Sequence, residues 1–317
     1  MVFTFPEGTG IGTVAVSPDG NQIAISTEEH LVQLWDRRTG TVGSVLEGHE
    51  SVVSDILYSP CGRWLLSYDW RDSVLLWDLH GMKQESHVRA EVEEQGFSKV
   101  CHASFSPSGH QIAICYRDNY LCIFDLPSKI LVKSKDMTRH SPCTLAYSPD
   151  GQQLAIGCED GSIYLWTINQ SDDEEFSAKL SGHQRLISSI AYSPCGQWIA
   201  SGSNDRTVRL WHHQSEESES WSWVTTVPGF FDRVNQIDWS PVNPMEFVTN
   251  CEDGSARIWQ VSNDGGKVVV RMRWGTNLRM LCAESLVLKD ATGLIPMHQN
   301  LLVQRGAVDV SVAHRGR

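Results

Sequence analysis

Apolar and polar residues alternate with a period of two over short runs, and the same succession of runs returns six times along the chain. In the fifth copy, Ile187, Ile190 and Tyr192 lead into Ser193-Pro194-Cys195-Gly196. Trp198-Ile199-Ala200-Ser201 follows, then a polar stretch Asn204-Asp205-Arg206, then Val208-Arg209-Leu210-Trp211. This alternation is that of half-buried β-strands. Proline presets φ and glycine accepts the left-handed conformation, so each Pro-x-Gly predicts a tight reversal. Each copy therefore predicts strand, hairpin, strand, hairpin, strand, with a fourth strand before the next copy.

The repeat is regular enough to set the fold class. Ser-Pro begins at Ser17, Ser59, Ser106, Ser148, Ser193 and Ser240. An apolar–aromatic pair closes each copy: Leu34-Trp35, Leu76-Trp77, Ile123-Phe124, Leu165-Trp166, Leu210-Trp211 and Ile258-Trp259. Gly48-His49 and Gly182-His183 stand ahead of the second and fifth copies, and Leu34-Trp35-Asp36 and Leu76-Trp77-Asp78 end in Trp-Asp. With a period of about 40–45 residues, these motifs resemble the WD-repeat β-propeller family. The resemblance covers residues 1–263 and implies an all-β propeller. Phe124 departs from the pattern, as do Thr167, His212 and Gln260 in place of aspartate and Phe230 in place of histidine.

Repeat cores are expected near 12–36, 52–78, 100–125, 142–167, 186–212 and 233–260, with a degenerate copy at 277–290. Seven blades are favoured over six. Residues 268–274 suit the outer strand of the sixth blade, and 2–5 are placed to close the ring with a terminal strand. The propeller domain is thus expected over 1–295. A short helix at 296–306 and a frayed tail follow, with Pro296 in the first turn and Gly306 at the end.

The full chain has 317 residues and a formal charge of −12. Eight basic and four acidic side chains fall in 264–317, so the rest of the chain carries nearly all the negative charge. That balance argues against nucleic acid as a partner, and no apolar run approaches the ~18 residues of a membrane span. No secretory signal is expected at the start. Nine cysteines without a Cys-x-x-Cys pair fit a reducing interior, cytoplasmic with a nuclear site left open, and no metal or other cofactor is expected. Stretches rich in Glu, Asp and Ser at 84–96, 169–175 and 213–219 predict solvated loops; Trp221 and Trp223 follow the last, as partner anchors or as an ordinary outer strand.

The fullest polar constellation is His183, Ser201, Asp205 and Trp211, which by resemblance is the family's structural tetrad. A buried histidine needs both ring nitrogens satisfied, and an aspartate fixes one tautomer. Ser, His and Asp also compose a hydrolase triad. Partial sets recur, however, with His49, Ser67 and Trp77, with Asp160 and Trp166, and with Asp253 and Trp259, and a catalytic triad is not repeated around a ring. Arg71 holds the aspartate position of the second copy, so that tetrad is expected to be incomplete. No phosphate loop, zinc motif or dinucleotide fingerprint is present.

The family resemblance implies a non-catalytic protein-interaction scaffold, with proteins or peptides rather than small molecules as partners. Binding is expected at the Gly-His loops and the loops between second and third strands. Candidates there are Tyr68, Asp69, Trp70, Arg71, Arg117, Arg185, Asn204, Arg206, Phe231, Asp232 and Arg233, with Glu50, Glu159 and Glu252 beside them. Trp70-Arg71 leads, because Trp and Arg dominate interface energetics. Gly293-Leu294, Asn300-Leu301-Leu302 and Gln304-Arg305-Gly306-Ala307 resemble the ending of fungal WD-repeat proteins of the NACHT-type receptor group, implying a ligand-sensing half. A substrate-receptor or scaffold subunit of a ubiquitin ligase or another complex is the alternative, and a propeller-fold hydrolase a third reading.

Overall fold

The computed structural model describes residues 10–71, 73–80, 83–87, 99–126, 128–169, 176–215, 218–264, 267–276, 287–288 and 308–309. Among them lie six four-stranded antiparallel sheets, each formed by consecutive strands paired in chain order. The first strands are Ile11–Val16, Val53–Tyr58, Val100–Phe105, Pro142–Tyr147, Ile187–Tyr192 and Val234–Trp239. First strands of successive sheets lie side by side and form the inner wall. This is the β-propeller architecture that the repeat predicts.

The Ser-Pro signal has a direct structural cause. In sheets 1 to 5 the serine hydroxyl accepts the N–H of the first residue of the second strand: Gln22, Trp64, Gln111, Gln153 and Trp198, at 2.9–3.1 Å. The glycine three residues on from each serine has φ of 71–73° and donates its N–H back to the serine carbonyl. Only the sixth hairpin differs. There Ser240 Oγ accepts from Asn243 N–H, and the extra residue of this turn explains why Trp259 arrives one place late.

Packing is sheet against sheet. Separate apolar clusters join sheets 1 and 2, 2 and 3, 3 and 4, 4 and 5, and 5 and 6. Second and third strands of sheets 2 to 4 are covered on both faces, and Trp77, Trp166 and Phe124 are at most 2% exposed. Sheets 1 and 6 each keep one apolar face open: Val14, Val16, Val42 and Val45 on the first, Val248 and Trp274 on the last.

Two expectations change here. Residues 213–215 and 218–219 are strand and not loop: the strands Val208–Ser215 and Ser218–Val227 run on past Trp211, with Ser215 paired to Ser218. Similarly, 83–87 form the outer strand Lys83–His87 of sheet 2, so 84–87 are ladder and not loop. In both, the composition is rich in acidic and polar residues, and composition alone does not separate an outer strand from a loop. Val287–Leu288 pairs in parallel with Val308–Asp309, unlike any pairing in the six sheets. The rest of the expected seventh blade, the closing strand at 2–5 and the helix at 296–306 lie outside the described residues.

Candidate interaction surface at one end of the ring

One end of the sheets is built by a repeated backbone bond. In every sheet the residue after the second strand donates its N–H to the carbonyl of the residue before the first strand. The pairs are Glu28 to Gly10, Trp70 to Val52, Arg117 to Lys99, Glu159 to Ser141, Asn204 to Leu186 and Glu252 to Arg233, at 2.8–3.2 Å. Twelve residues, eleven of them with side chains, are thereby fixed at equivalent places on one rim. Trp70, Arg117, Asn204 and Arg233 of the candidate set hold such places, as do Glu159 and Glu252 beside them. Sequence reasoning missed Lys99, Val52, Ser141 and Leu186, whose only signal is that each directly precedes a first strand.

The rim of sheets 2 to 4 encloses a cavity of about 780 Å³, whose lining includes Trp70, Lys99, Arg117, Asn119, Ser141 and Glu159. Trp70 is 62% exposed, and Lys99 Nζ lies 5.2 Å from its ring centre, a cation–π contact. Arg71, Arg117, Arg185, Arg206, Phe231, Asp232 and Arg233 are also exposed, and Asn204 is half-buried. Arg233 is paired with Glu252 at 3.3 Å. Two candidates change role. Tyr68 and Asp69 are buried, because they end a second strand covered on both faces, and Tyr68 contributes only to the wall of the cavity.

Asp69 has other work. His49 Nδ1 lies 3.0 Å from Asp69 Oδ2 and its Nε2 lies 2.6 Å from Ser67 Oγ, which also accepts the Trp77 indole N–H at 2.9 Å. The tetrad of sheet 2 is therefore complete, and the expectation that Arg71 breaks it is corrected. Residues 67 and 69 alternate onto the same side of one strand, so an aspartate at 69 reaches the ring from the strand instead of the turn. Its second oxygen accepts the N–H groups of Arg71 and Ser73.

In sheet 5, His183 bridges Asp205 Oδ2 at 2.8 Å and Ser201 Oγ at 2.9 Å, and Trp211 donates to Ser201 at 2.9 Å. Asp205, an acceptor only as the carboxylate, takes the Nδ1–H, and Ser201 Oγ accepts the indole N–H while meeting Nε2. Burial alone would raise the Asp205 pKa, but bonds from His183, Thr207 and the Gln184 N–H hold it well below the usual carboxylate range. Ser67 and Ser201 are wholly buried with engaged hydroxyls, so neither set turns a nucleophile to solvent.

The partial sets differ. In sheet 6, Phe230 replaces histidine and Arg257 spans the gap. Its guanidinium donates to Asp253 at 3.0 Å, to Gly229 O at 2.7 Å and to Ser255 at 3.1 Å, and lies 4.5 Å from the Phe230 ring centre. Trp259 donates to Thr249 Oγ1 at 3.0 Å. Sequence reasoning missed Arg257, which follows no family position. In sheet 4 the two residues are not joined: Asp160 accepts Ser162 N–H, and the Trp166 indole N–H is buried without an acceptor. Ile156 stands ten residues before it, where Ser67 and Ser201 stand before their tryptophans.

The hairpin end of sheets 4 and 5 holds a second cavity, about 820 Å³, with Tyr192, His212, His213 and Trp221 in its wall. Trp221 and Trp223 lie in the outer strand Ser218–Val227; Trp221 packs on Tyr192 and His213, while Trp223 is 55% exposed.

Comparison with known families decides what the repeat is. The WD domain, G-beta repeat family matches at 1–36, 40–78, 91–125, 132–167, 174–212 and 221–260. The chain belongs to this family. Among WD-repeat relatives, the Arabidopsis thaliana WD repeat-containing protein 26 homolog is 26% identical over 77% of the chain and 39% of its own length. The WDS homolog of the same plant is 23% identical over 78% of the chain and 46% of its length. Transcription initiation factor TFIID subunit 5 of Caenorhabditis elegans is 29% identical over 41% of the chain and 19% of its length. The chain thus spans less than half the length of each of these WD-repeat proteins. No helix among the described residues is long and apolar enough to cross a membrane.

Proposed function

We propose that this chain is a non-catalytic protein-interaction scaffold within a multiprotein complex, and that partners dock on the rim of sheets 2 to 4. The observation that carries this is Trp70: a large aromatic left 62% exposed on a backbone-fixed position, beside an open cavity and next to Arg71. A rigid aromatic beside arginine is the composition of interface hot spots, and exposed loops on a rigid scaffold are where binding is placed. A relative named as a subunit of a transcription initiation factor supports assembly into complexes. The narrower reading, a sensing half of a NACHT-type receptor, rests on residues 293–307, which lie outside the described set, and gains no support from the relatives above. A ubiquitin-ligase subunit is one kind of complex within the same scaffold reading.

The test is capture from cell extract by wild-type chain and by Trp70→Ala/Arg71→Ala and Trp223→Ala variants of equal melting temperature. Loss of the captured set from the double rim variant, with retention by Trp223→Ala, is expected. An unchanged set on the rim variant would overturn the assignment.

A further inference from the structure

Resting on the scaffold reading, we infer that the rim of sheet 3 and its Trp70 neighbour take an acidic, extended peptide segment of a partner protein. Equivalent backbone pairs in the other sheets carry at most one cation. In sheet 6 that cation, Arg233, is neutralised by Glu252 across its own pair. Sheet 3 alone sets two cations on one pair, Lys99 and Arg117. No carboxylate among the described residues lies within ion-pair distance of either. Two adjacent like charges repel, and in a chain of net charge −12 their shared wall is a local reversal of sign.

The cavity is not uniformly positive, and this narrows the ligand. Asp55 and Glu159 also line it, from sheets 2 and 4. Negative charge in the ligand is therefore local: one Asp or Glu carboxylate at Lys99 and Arg117, with uncharged chain running toward Glu159. Arg117 supplies a planar donor fork that matches a carboxylate. Lys99 is held at 5.2 Å over the Trp70 ring, so the indole both orients the ammonium and offers an apolar surface to the adjoining ligand residue. Asn119 and Ser141 leave polar groups on the same wall for peptide backbone.

The experiment uses the full chain, fluorescently labelled, on an array of short extended peptides in matched acidic, neutral amide and basic sets, with a fourth set carrying phosphoserine for Glu. Hits are titrated by anisotropy at low and high salt. The acidic set should be enriched, with affinity falling as salt rises. Arg117→Glu and Lys99→Glu should each weaken binding about tenfold or more, with melting temperatures unchanged. Trp70→Ala should weaken acidic and neutral peptides alike. Absence of acidic enrichment, or affinity indifferent to both charge reversals, would overturn the inference. So would preference for the phosphoserine set with no binding of the Glu set. If rim variants still lose their captured partners while acidic peptides are not favoured, the scaffold reading stands and only this inference fails.

Discussion

Single side chains decide how each loop over the rim is held, and they do so by different routes. Sheet 2 uses Asp69 from the strand, sheet 5 uses Asp205 from the turn, and sheet 6 replaces the imidazole with the Arg257 guanidinium. Asp69→Ala should therefore cost ~1–3 kcal/mol, the penalty for orphaning a buried partner, whereas Arg71→Ala should stay within ~0.5 kcal/mol. Chemical denaturation of the two variants separates them. Acid sensitivity follows from Asp205. Its folded pKa lies below the ordinary 3.8, so the native state prefers the anion more than the unfolded chain does. That contribution is fully present above the ordinary value and drains away as pH falls through it toward the folded value. Asp205→Asn should begin less stable at neutral pH and show a shallower loss between about pH 5 and pH 2; parallel acid slopes would contradict the assignment.

Among elements, the hairpins were the most legible part of the sequence, because Ser-Pro-x-Gly is a local device: hydroxyl, fixed φ and left-handed glycine all act within a few residues. The same locality allows a graded test. A Cβ at Gly196 would meet only Pro149 at 3.7 Å, so Gly196→Ala should cost ~1 kcal/mol from its positive φ alone. At Gly109 a Cβ would also come within 3.1 Å of Cys61 Sγ, and the cost should be larger. Thermal melts of the pair check the order. Less legible were features set by neighbours distant in sequence. Asp69 was hidden because a fixed offset from His49 lands on Arg71, and only strand alternation reveals the nearer carboxylate. Arg257 was hidden because its partners, Gly229 and Asp253, come from separate loops. Lys99 was hidden because a residue ahead of a first strand carries no pattern until the backbone bond to Arg117 is known.

At the scale of the whole molecule, the open faces of sheets 1 and 6 are the largest departure from the packing seen between every other pair. Val14 and Val16 are 60% and 57% exposed, and Val248 and Trp274 are 38% and 54% exposed, where matching faces of the inner sheets are covered. A seventh sheet between them, as the degenerate copy at 277–290 predicts, would bury both faces. Val14→Asp and Trp274→Asp should then each lower the melting temperature by several degrees, since burying an unpaired charge costs kilocalories where a surface charge costs almost nothing. Unchanged melting at both positions would leave the faces open to water.

The rim of sheets 2 to 4 is the claim on which the functional account rests, and site-specific photo-cross-linking examines it most directly. A photoreactive amino acid is placed at position 70, and in a second chain at position 223 on the outer strand of sheet 5, where the native tryptophan is also exposed. Irradiation in cell extract should give discrete protein adducts from position 70 and none in common from 223. Adducts from 223 alone, or the same adducts from both positions, would contradict it.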